Sequence, residues 1–496
     1  MATCWKGWWK VQVNIDATSL EQFNRGVKYL NNKRWDKALS LFKKAVRGAP
    51  LKEVWLNMGN AYAQQDREDD ALNCFLKAAD HRTPYSDGRT GPYELAQNNL
   101  GLLNFRNGRT REAIEYYKNS IELGEGKNGD PIWNYANAYL KLCCSGEETD
   151  WNLAWRLYRQ RFFRTNPTPI DSRIPEWDKF TKVPTLVVLS EQGQGDKVQF
   201  GRHLHQLRTY CDHLVVQVPD CMKPIFEPHN YHCVEDVGPW VGTEARSIPF
   251  CDLHQVFGHE YTPAGWIDHR HYTPRVFDGN RPVIIVEWAG SPNHANDRHR
   301  STTPEHFLKL NTWGDLYSFR NKAPRGIVGL DTQDDWKASI EAILGSDLVV
   351  TVDTSVVHVC GALNHPCIML QARKETDWRW GEPHNGWNNV FYPSVMIARN
   401  PCNWTKTFES VYQKVEELLA QNKQTWYYWG PISRLPTRQA IYKAANRSLL
   451  GAVDSQQGSC IGHPQSSTDG THQRSQLTTL PFRGGCSFTA IGQDFY

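Results

Sequence analysis

SDLVVTVDTSVVHVCGALNHPCIML, residues 346–370, decides how the larger part of the chain folds. Its apolar, β-branched run Asp347–Asp353 reads as a strand buried on both faces. The polar turn Asp353-Thr354-Ser355 ends that strand and opens a helix, and Gly361-Ala362-Leu363 leads into a second apolar run, Cys367–Leu370. Strand, helix and strand in such close succession form a βαβ unit, whose strands are parallel and whose crossover is right-handed.

Working outward, TLVVLS (185–190), HLVVQV (213–218) and PVIIVEW (282–288) are runs of the same kind, separated by helical segments. This alternation predicts doubly wound parallel sheets. The stretch 220–280, rich in His, Pro and Gly, reads as irregular loops with a domain junction near Asp278–Arg281.

Upstream of a proline-punctuated linker, TNPTPIDSRIPEW (165–177), the period is helical and the sequence repeats. Gly26, Tyr29, Ala38, Phe42, Ala45 and Pro50 recur as Gly59, Tyr62, Ala71, Phe75 and Ala78, preceded by Trp55. A third copy keeps Gly101, Ala113 and Tyr117, and a degenerate fourth runs from Trp133, Ala136 and Tyr139 to Ala154, Trp155 and Tyr158. Small residues let paired helices approach and large ones fill the gaps between pairs, so the pattern resembles the tetratricopeptide repeat, over roughly 19–165. Such arrays bind peptides, self-associate or brace an attached domain.

Composition bounds the function. A chain of 496 residues suggests about three domains of ~150 residues. The 56 basic and 53 acidic residues leave a net charge of +3 with no basic arm, which does not indicate nucleic acid as a partner. Thirteen cysteines without a Cys-x-x-Cys read as reduced thiols, hence a cytoplasmic protein. No segment approaches the ~20 apolar residues of a membrane span. The many Trp and Tyr residues suit repeat packing as well as sugar stacking.

Three segments carry chemistry. In LSEQGQGDKVQFGRHL (189–204) a strand enters a glycine-rich turn and a helix. Gly193 and Gly195 permit close backbone approach, but Val198 occupies the third position of the dinucleotide-binding pattern, against a dehydrogenase. Asp196 lies beyond a strand's carboxyl end, where α/β sheets bind ligands, and can accept a proton from a hydroxyl. It fits a helix cap equally well. Glu191 and Gln192 are hydrogen-bonding neighbours or turn residues. In VEWAGSPNHANDRHRSTTPEHF (286–307), Arg298, Arg300 and Ser301 lie just before a helix start at Pro304, placed either to clamp a diphosphate or to form a solvated loop. In the opening segment, Asp353, Thr354 and Ser355 at a helix N-terminus form a phosphate cradle. There Asp353 is alternatively a cap, and His358 a ligand contact or a core histidine. No spacing, DHRHY (268–272) included, matches a closed zinc site, so no metal or other cofactor is expected.

Together EQGQGD (191–196), WAGSPNHANDRHRS (288–301), VDTSVVHVCGAL (352–363) and DWRW (377–380) resemble the proteins in which tetratricopeptide repeats precede a GT-B unit similar to the heptosyltransferases of glycosyltransferase family 9. The resemblance covers roughly 20–420. It implies an α-solenoid followed by two Rossmann-like α/β domains: an N-terminal segment 1–18, repeats 19–165, an acceptor-side domain 166–280, a nucleotide-sugar domain 281–445 and a disordered tail 446–496. It implies inverting, metal-independent transfer from a nucleoside-diphosphate sugar. Asp196 would be the general base, positioned by the turn Gln192, Gly193 and Gly195. Arg298 and Arg300 would face the diphosphate, with Ser301, Asp353, Thr354, Ser355 and His358 lining the donor side. DWRW with Trp387 shapes a pocket wall or packs the core. The acceptor stays open among a saccharide, a protein and a modified phage-type DNA base, and the repeats offer a surface for a protein partner or a second copy. The rival reading is a non-catalytic repeat scaffold with a relic GT-B domain.

Overall fold

The computed structural model describes residues 16–258, 265–294, 296–372, 374–382, 385–399 and 403–426. The expected tail 446–496 and most of the segment 1–18 lie outside the described residues. Eight helices form four hairpins: α1 (Ala17–Asn31), α2 (Trp35–Gly48), α3 (Lys52–Gln64), α4 (Glu68–Ala79), α5 (Glu94–Arg106), α6 (Thr110–Leu123), α7 (Gly129–Cys144) and α8 (Trp151–Tyr158). The repeated glycines explain the hairpins. A Cβ on Gly26, Gly59 or Gly101 would lie 2.5 Å from the ring of Phe42, Phe75 or Tyr117, so only glycine lets the second helix of each pair close on the first. Ala38, Ala71 and Ala113 are fully buried at the same seam. Lys33, Asp66, Gly108 and Gly146 all take left-handed backbone, with φ of 55°, 56°, 73° and 73°, in the four hairpin turns. The degenerate fourth copy therefore repeats the geometry of the others.

Two parallel sheets follow. The first holds β1 (Val183–Leu189), β2 (Cys211–Gln217), β3 (His232–Val234) and β4 (Arg246–Pro249) in the order β3-β2-β1-β4. The second holds β5 (Val283–Glu287), β6 (Asp315–Ser318), β7 (Val328–Gly329), β8 (Leu348–Val352), β9 (Cys367–Gln371) and β10 (Val395–Arg399), in the order β10-β9-β8-β5-β6-β7. Strand order reverses between β1 and β4 and between β5 and β8, and such reversals open the crevice in which α/β sheets take ligands. β5, β8 and β9 are buried along their whole length, as their largely apolar runs require. The expected fold class, an α-helical array followed by two α/β units, is the one observed.

The stretch 220–280 is not merely irregular. It supplies β3 and β4, and β4 forms half of the first crevice. Three- and four-residue strands set among prolines and glycines are too short to show periodicity.

The described residues up to Glu416 form one compact unit, so the repeats and both sheets pack together. A second unit begins at Glu417, within the helix Trp404–Trp426. A buried ion network ties the last repeat to the first sheet. Arg161 makes two 2.7 Å bonds to Glu191 and one of 2.6 Å to Asp252, and all three side chains are at most 2% exposed. Glu191 also accepts the Cys251 N–H at 2.9 Å, closing the network across the β1–β4 crevice.

Candidate functional site

The first crevice is built on the turn after β1 and the helix α9 (Gln194–Gly201). Gln192, not a glycine, takes the left-handed conformation of the turn, with φ 54°. Its side-chain Nε2 donates to the Tyr158 hydroxyl at 3.0 Å, so the last repeat helix fixes the turn. Gly193 is extended at φ −80° and caps α9. Gly195 answers a different need, because a Cβ there would lie 2.6 Å from Cδ2 of His358. Asp196 is the third residue of α9, and its Oδ2 accepts the Gly193 N–H at 2.9 Å. The capping role is thus realised, with Asp196 inside the helix rather than at its N-cap. Its other oxygen, Oδ1, accepts from Nη2 of Arg379, and the side chain keeps 16% of its exposure.

The second crevice lies between the loop after β5 and the turn after β8. Arg300 reaches across it, its Nη1 donating to the Asp353 carbonyl at 2.9 Å. The guanidinium lies on Gly290, where a Cβ would sit 2.3 Å from Nη2. Ser301 serves the loop itself: its hydroxyl accepts the Gly290 N–H at 3.0 Å and donates to Asp297 at 2.8 Å. Thr354, extended at φ −144°, is the N-cap of the helix Ser355–Leu363, and no side chain caps that helix. The first-turn amides and the Ser355 hydroxyl therefore stand at the carboxyl edge of the sheet, where they suit an anion.

The pair of arginines divides. Arg298, expected beside Arg300, turns to the repeats: its Nη1 donates to the Gln64 carbonyl at 2.8 Å, and Nη2 lies 3.5 Å from Asp66. Two residues apart at the end of the four-residue helix Asp297–Arg300, the side chains leave on different sides. Arg298 therefore stands away from the crevice.

The two crevices meet. The helices α9 and Ser355–Leu363 pack through Gly195 and His358. Nδ1 of His358 pairs with the Tyr392 hydroxyl at 2.9 Å, and its ring lies 5.5 Å from Trp380. Burial, with Arg379 and Arg202 nearby, holds this imidazole well below its usual pKa, so it is a neutral core histidine at the junction. Asp353 is pushed up to about 6 by burial and by the Asp377 carboxylate, against the pull of Arg300.

Sequence reasoning missed Arg379 and His294. Arg379, buried in DWRW, donates to Asp196 and Gln199 and makes bonds of 3.0 and 2.9 Å to Asp377. A charged residue between two tryptophans, which are 3% and 1% exposed, was the available signal. Its flanking Trp378 packs on Trp155 and Tyr158 of the last repeat, at 5.7 and 5.8 Å between ring centres. His294 is held below the ordinary imidazole range by burial and by Arg300, with Asp377, Asp297 and Asp196 pulling the other way. Its position in SPNHAND carried no periodic or spacing signal.

The site thus gathers Asp196, Asp353 and Asp377 with Arg300 and Arg379 where two parallel sheets meet. Among the described residues, no group of three or more His, Cys, Asp or Glu could hold a metal ion, and no helix is long and apolar enough to cross a membrane.

Comparison with protein families matches residues 52–126 to the tetratricopeptide repeat. The helical hairpins around them are repeats of that kind. No curated protein matches the chain. Among solved structures, MamA is 20% identical over 29% of this chain and 75% of its own, with a TM-score of 0.24. The Sgt2 repeat domain from Aspergillus fumigatus is 20% identical over 28% of this chain and 88% of its own, with a TM-score of 0.24. The iron-containing dodecameric glycosyltransferase TibC from enterotoxigenic E. coli H10407 is 11% identical over 39% of this chain and 59% of its own, with a TM-score of 0.30. Likenesses this distant carry no argument about activity, which rests below on the site itself.

Proposed function

We propose that the chain is a glycosyltransferase of GT-B type, moving a sugar from a nucleoside-diphosphate donor to an acceptor hydroxyl. One observation carries the reading: the ligand-binding edges of two parallel sheets face each other, one bearing a carboxylate and the other a guanidinium beside an uncapped helix N-terminus. In this reading the diphosphate lies at Thr354 and Ser355. Arg300 and the helix amides balance the charge that grows as the sugar–phosphate bond breaks. Asp196 takes the proton of the attacking hydroxyl, with Arg379 holding its carboxylate in place. Configuration at the sugar inverts, because a single displacement with one base suffices. Positive side chains and amides do what a divalent cation does elsewhere, so transfer should persist in excess EDTA.

The test is a panel of nucleoside diphosphates and nucleotide sugars screened for thermal stabilisation of the full chain, since a ligand bound only to the native state must raise its stability. Stabilisation by one nucleotide series, lost in Arg300→Ala, supports the reading. A flat response across the panel would favour the repeat scaffold with a relic domain.

A further inference from the structure

The surface of the repeats is not vacant. Residues 374–382 cross it as a strap, and their side chains divide by direction. Lys374 pairs with Glu68 of α4, and Glu375 with Arg106 of α5. The Thr376 hydroxyl accepts from Lys141 of α7 at 2.8 Å. At the far end, Glu382 accepts from Thr110 of α6 and lies 3.6 Å from Lys141, while its N–H donates to Ser145 at 2.8 Å. Lys141 and Glu382 are 3% and 8% exposed, so this is a buried ion pair rather than a rim contact. Between these anchors Trp378 packs on Trp155 and Tyr158 of α8, while Asp377 and Arg379 turn the other way. Arg379 is the group that binds Asp196 and Gln199 on α9.

We propose that the repeat array is a positioning element of the site, with this segment of the chain's own second sheet domain as its bound peptide. Four repeat helices grip both ends of the strap and thereby set where Arg379 meets Asp196. Lys141, Arg106 and Thr110 are positioning residues that touch no reacting atom. Here the lysine and arginine side chains of the repeats are spent on a segment of the same chain. A partner competing for this surface would have to carry an acidic residue at each end, as Glu375 and Glu382 do, and would release Arg379 on binding. The inference rests on the transfer reading only in treating Asp196 as the base; its test reads backbone opening, which a wrong assignment of the reaction leaves untouched.

The experiment is hydrogen–deuterium exchange of the full chain, parent against Lys141→Met. Peptides covering 374–382 should exchange at least several-fold faster in the variant. Peptides covering 190–196, which Lys141 does not contact, should speed up with them, while β8 (348–352) keeps its protection. Faster exchange at 374–382 with 190–196 unchanged would show that the strap does not hold the turn, and would overturn the proposal. No change at 374–382 would show that the repeats do not hold the strap, with the same consequence. Should Lys141→Met leave Glu382 buried and unpaired so that the chain fails to fold, the paired variant Lys141→Met with Glu382→Gln removes both charges and is read in the same way. Arg379→Lys, which leaves the strap's anchors intact, should speed exchange at 190–196 but not at the ends of 374–382, and speeding both equally would refute the order of dependence.

Discussion

Gly195→Ala is the most discriminating substitution the structure offers, because two opposite effects meet at one atom. Alanine in place of glycine favours a helix by up to about 1 kcal/mol, so a residue near the start of α9 should welcome it. The added Cβ, however, would lie 2.6 Å from Cδ2 and 3.1 Å from Nε2 of His358. That ring cannot swing aside cheaply: it is buried, bonded to Tyr392 at 2.9 Å and flanked by Trp380. Over-packing of this kind costs about 1–3 kcal/mol, so the net effect should be destabilisation of up to roughly 3 kcal/mol. Gly193→Ala is the control, since its Cβ would meet only the Asp196 carboxylate at 3.1 Å and its backbone suits any residue. Denaturant melts of the parent, both single variants, His358→Ala and the pair Gly195→Ala with His358→Ala measure the coupling. The pair should be less destabilised than the sum of its members, because removing the ring makes room for the methyl group. A Gly195→Ala protein more stable than its parent, or strict additivity in the cycle, would refute the claim that α9 and the helix Ser355–Leu363 meet at this contact.

Three further outcomes follow from the same geometry. Arg300→Ala should weaken binding of the cognate nucleoside diphosphate by about 1.5–3 kcal/mol in calorimetric titration, as for a charge-assisted hydrogen bond, whereas Arg298→Ala should leave it unchanged because that side chain faces Gln64. Arg161→Met leaves Glu191 buried without its cation, while Asp252 keeps Arg159 at 2.5 Å, so denaturant melts should show a loss of about 3–5 kcal/mol. Asp353, raised from 3.8 to about 6, binds more protons folded than unfolded, so its contribution falls as pH rises from about 4 to 6 and is flat above. Relative to Asp353→Asn, the parent should lose about 2–3 kcal/mol across that window in pH-dependent melts, and parallel curves would remove the buried-carboxyl account.

The sequence was most legible where a single contact imposes a repeating constraint. Gly26, Gly59 and Gly101 each sit under an aromatic ring of the next helix, and that recurrence is visible without coordinates. The strands β1, β2, β5, β8 and β9 were legible for the same kind of reason, since burial on both faces selects short runs of apolar residues. The short strands β3, β4, β6, β7 and β10 were not, because each is completed by neighbours distant in the chain. The same distinction runs through the site. Asp196 and Thr354-Ser355 lie in the turns and helix starts that follow β1 and β8, and Arg300 closes the loop segment after β5, so topology brings them to the crevices. Arg298 shares that local context with Arg300, and only the presence of α3 and its Gln64 carbonyl draws it elsewhere. Arg379 is the converse: its place between two tryptophans sets it apart locally, but its role follows from Asp196 and Gln199 arriving from another segment.

Asp196 shows how a structural and a chemical reading can hold at once. Its Oδ2 closes the first turn of α9 on Gly193, a bond that fixes the carboxylate within the crevice. Its Oδ1 meets Arg379, which the repeats reach through the strap, so its direction is set from outside its own domain. A base must be held in one orientation to accept a proton in the transition state, and each of these bonds leaves a second lone pair on its oxygen. Engagement in the protein therefore does not oppose a catalytic role; it is the form that preorganisation takes. What separates the two roles is the response to Arg379→Lys. If Asp196 only caps α9, the Gly193 bond survives and turnover with an identified donor stays within a few-fold of the parent. If the carboxylate is a base oriented by a planar guanidinium, the ammonium of lysine cannot reproduce the three-way bonding to Asp196, Gln199 and Asp377. Turnover should then fall by about 10²-fold, the scale of a misplaced general base, with donor affinity preserved. A matched fall in donor affinity would place Arg379 on the nucleotide instead and detach Asp196 from the reaction.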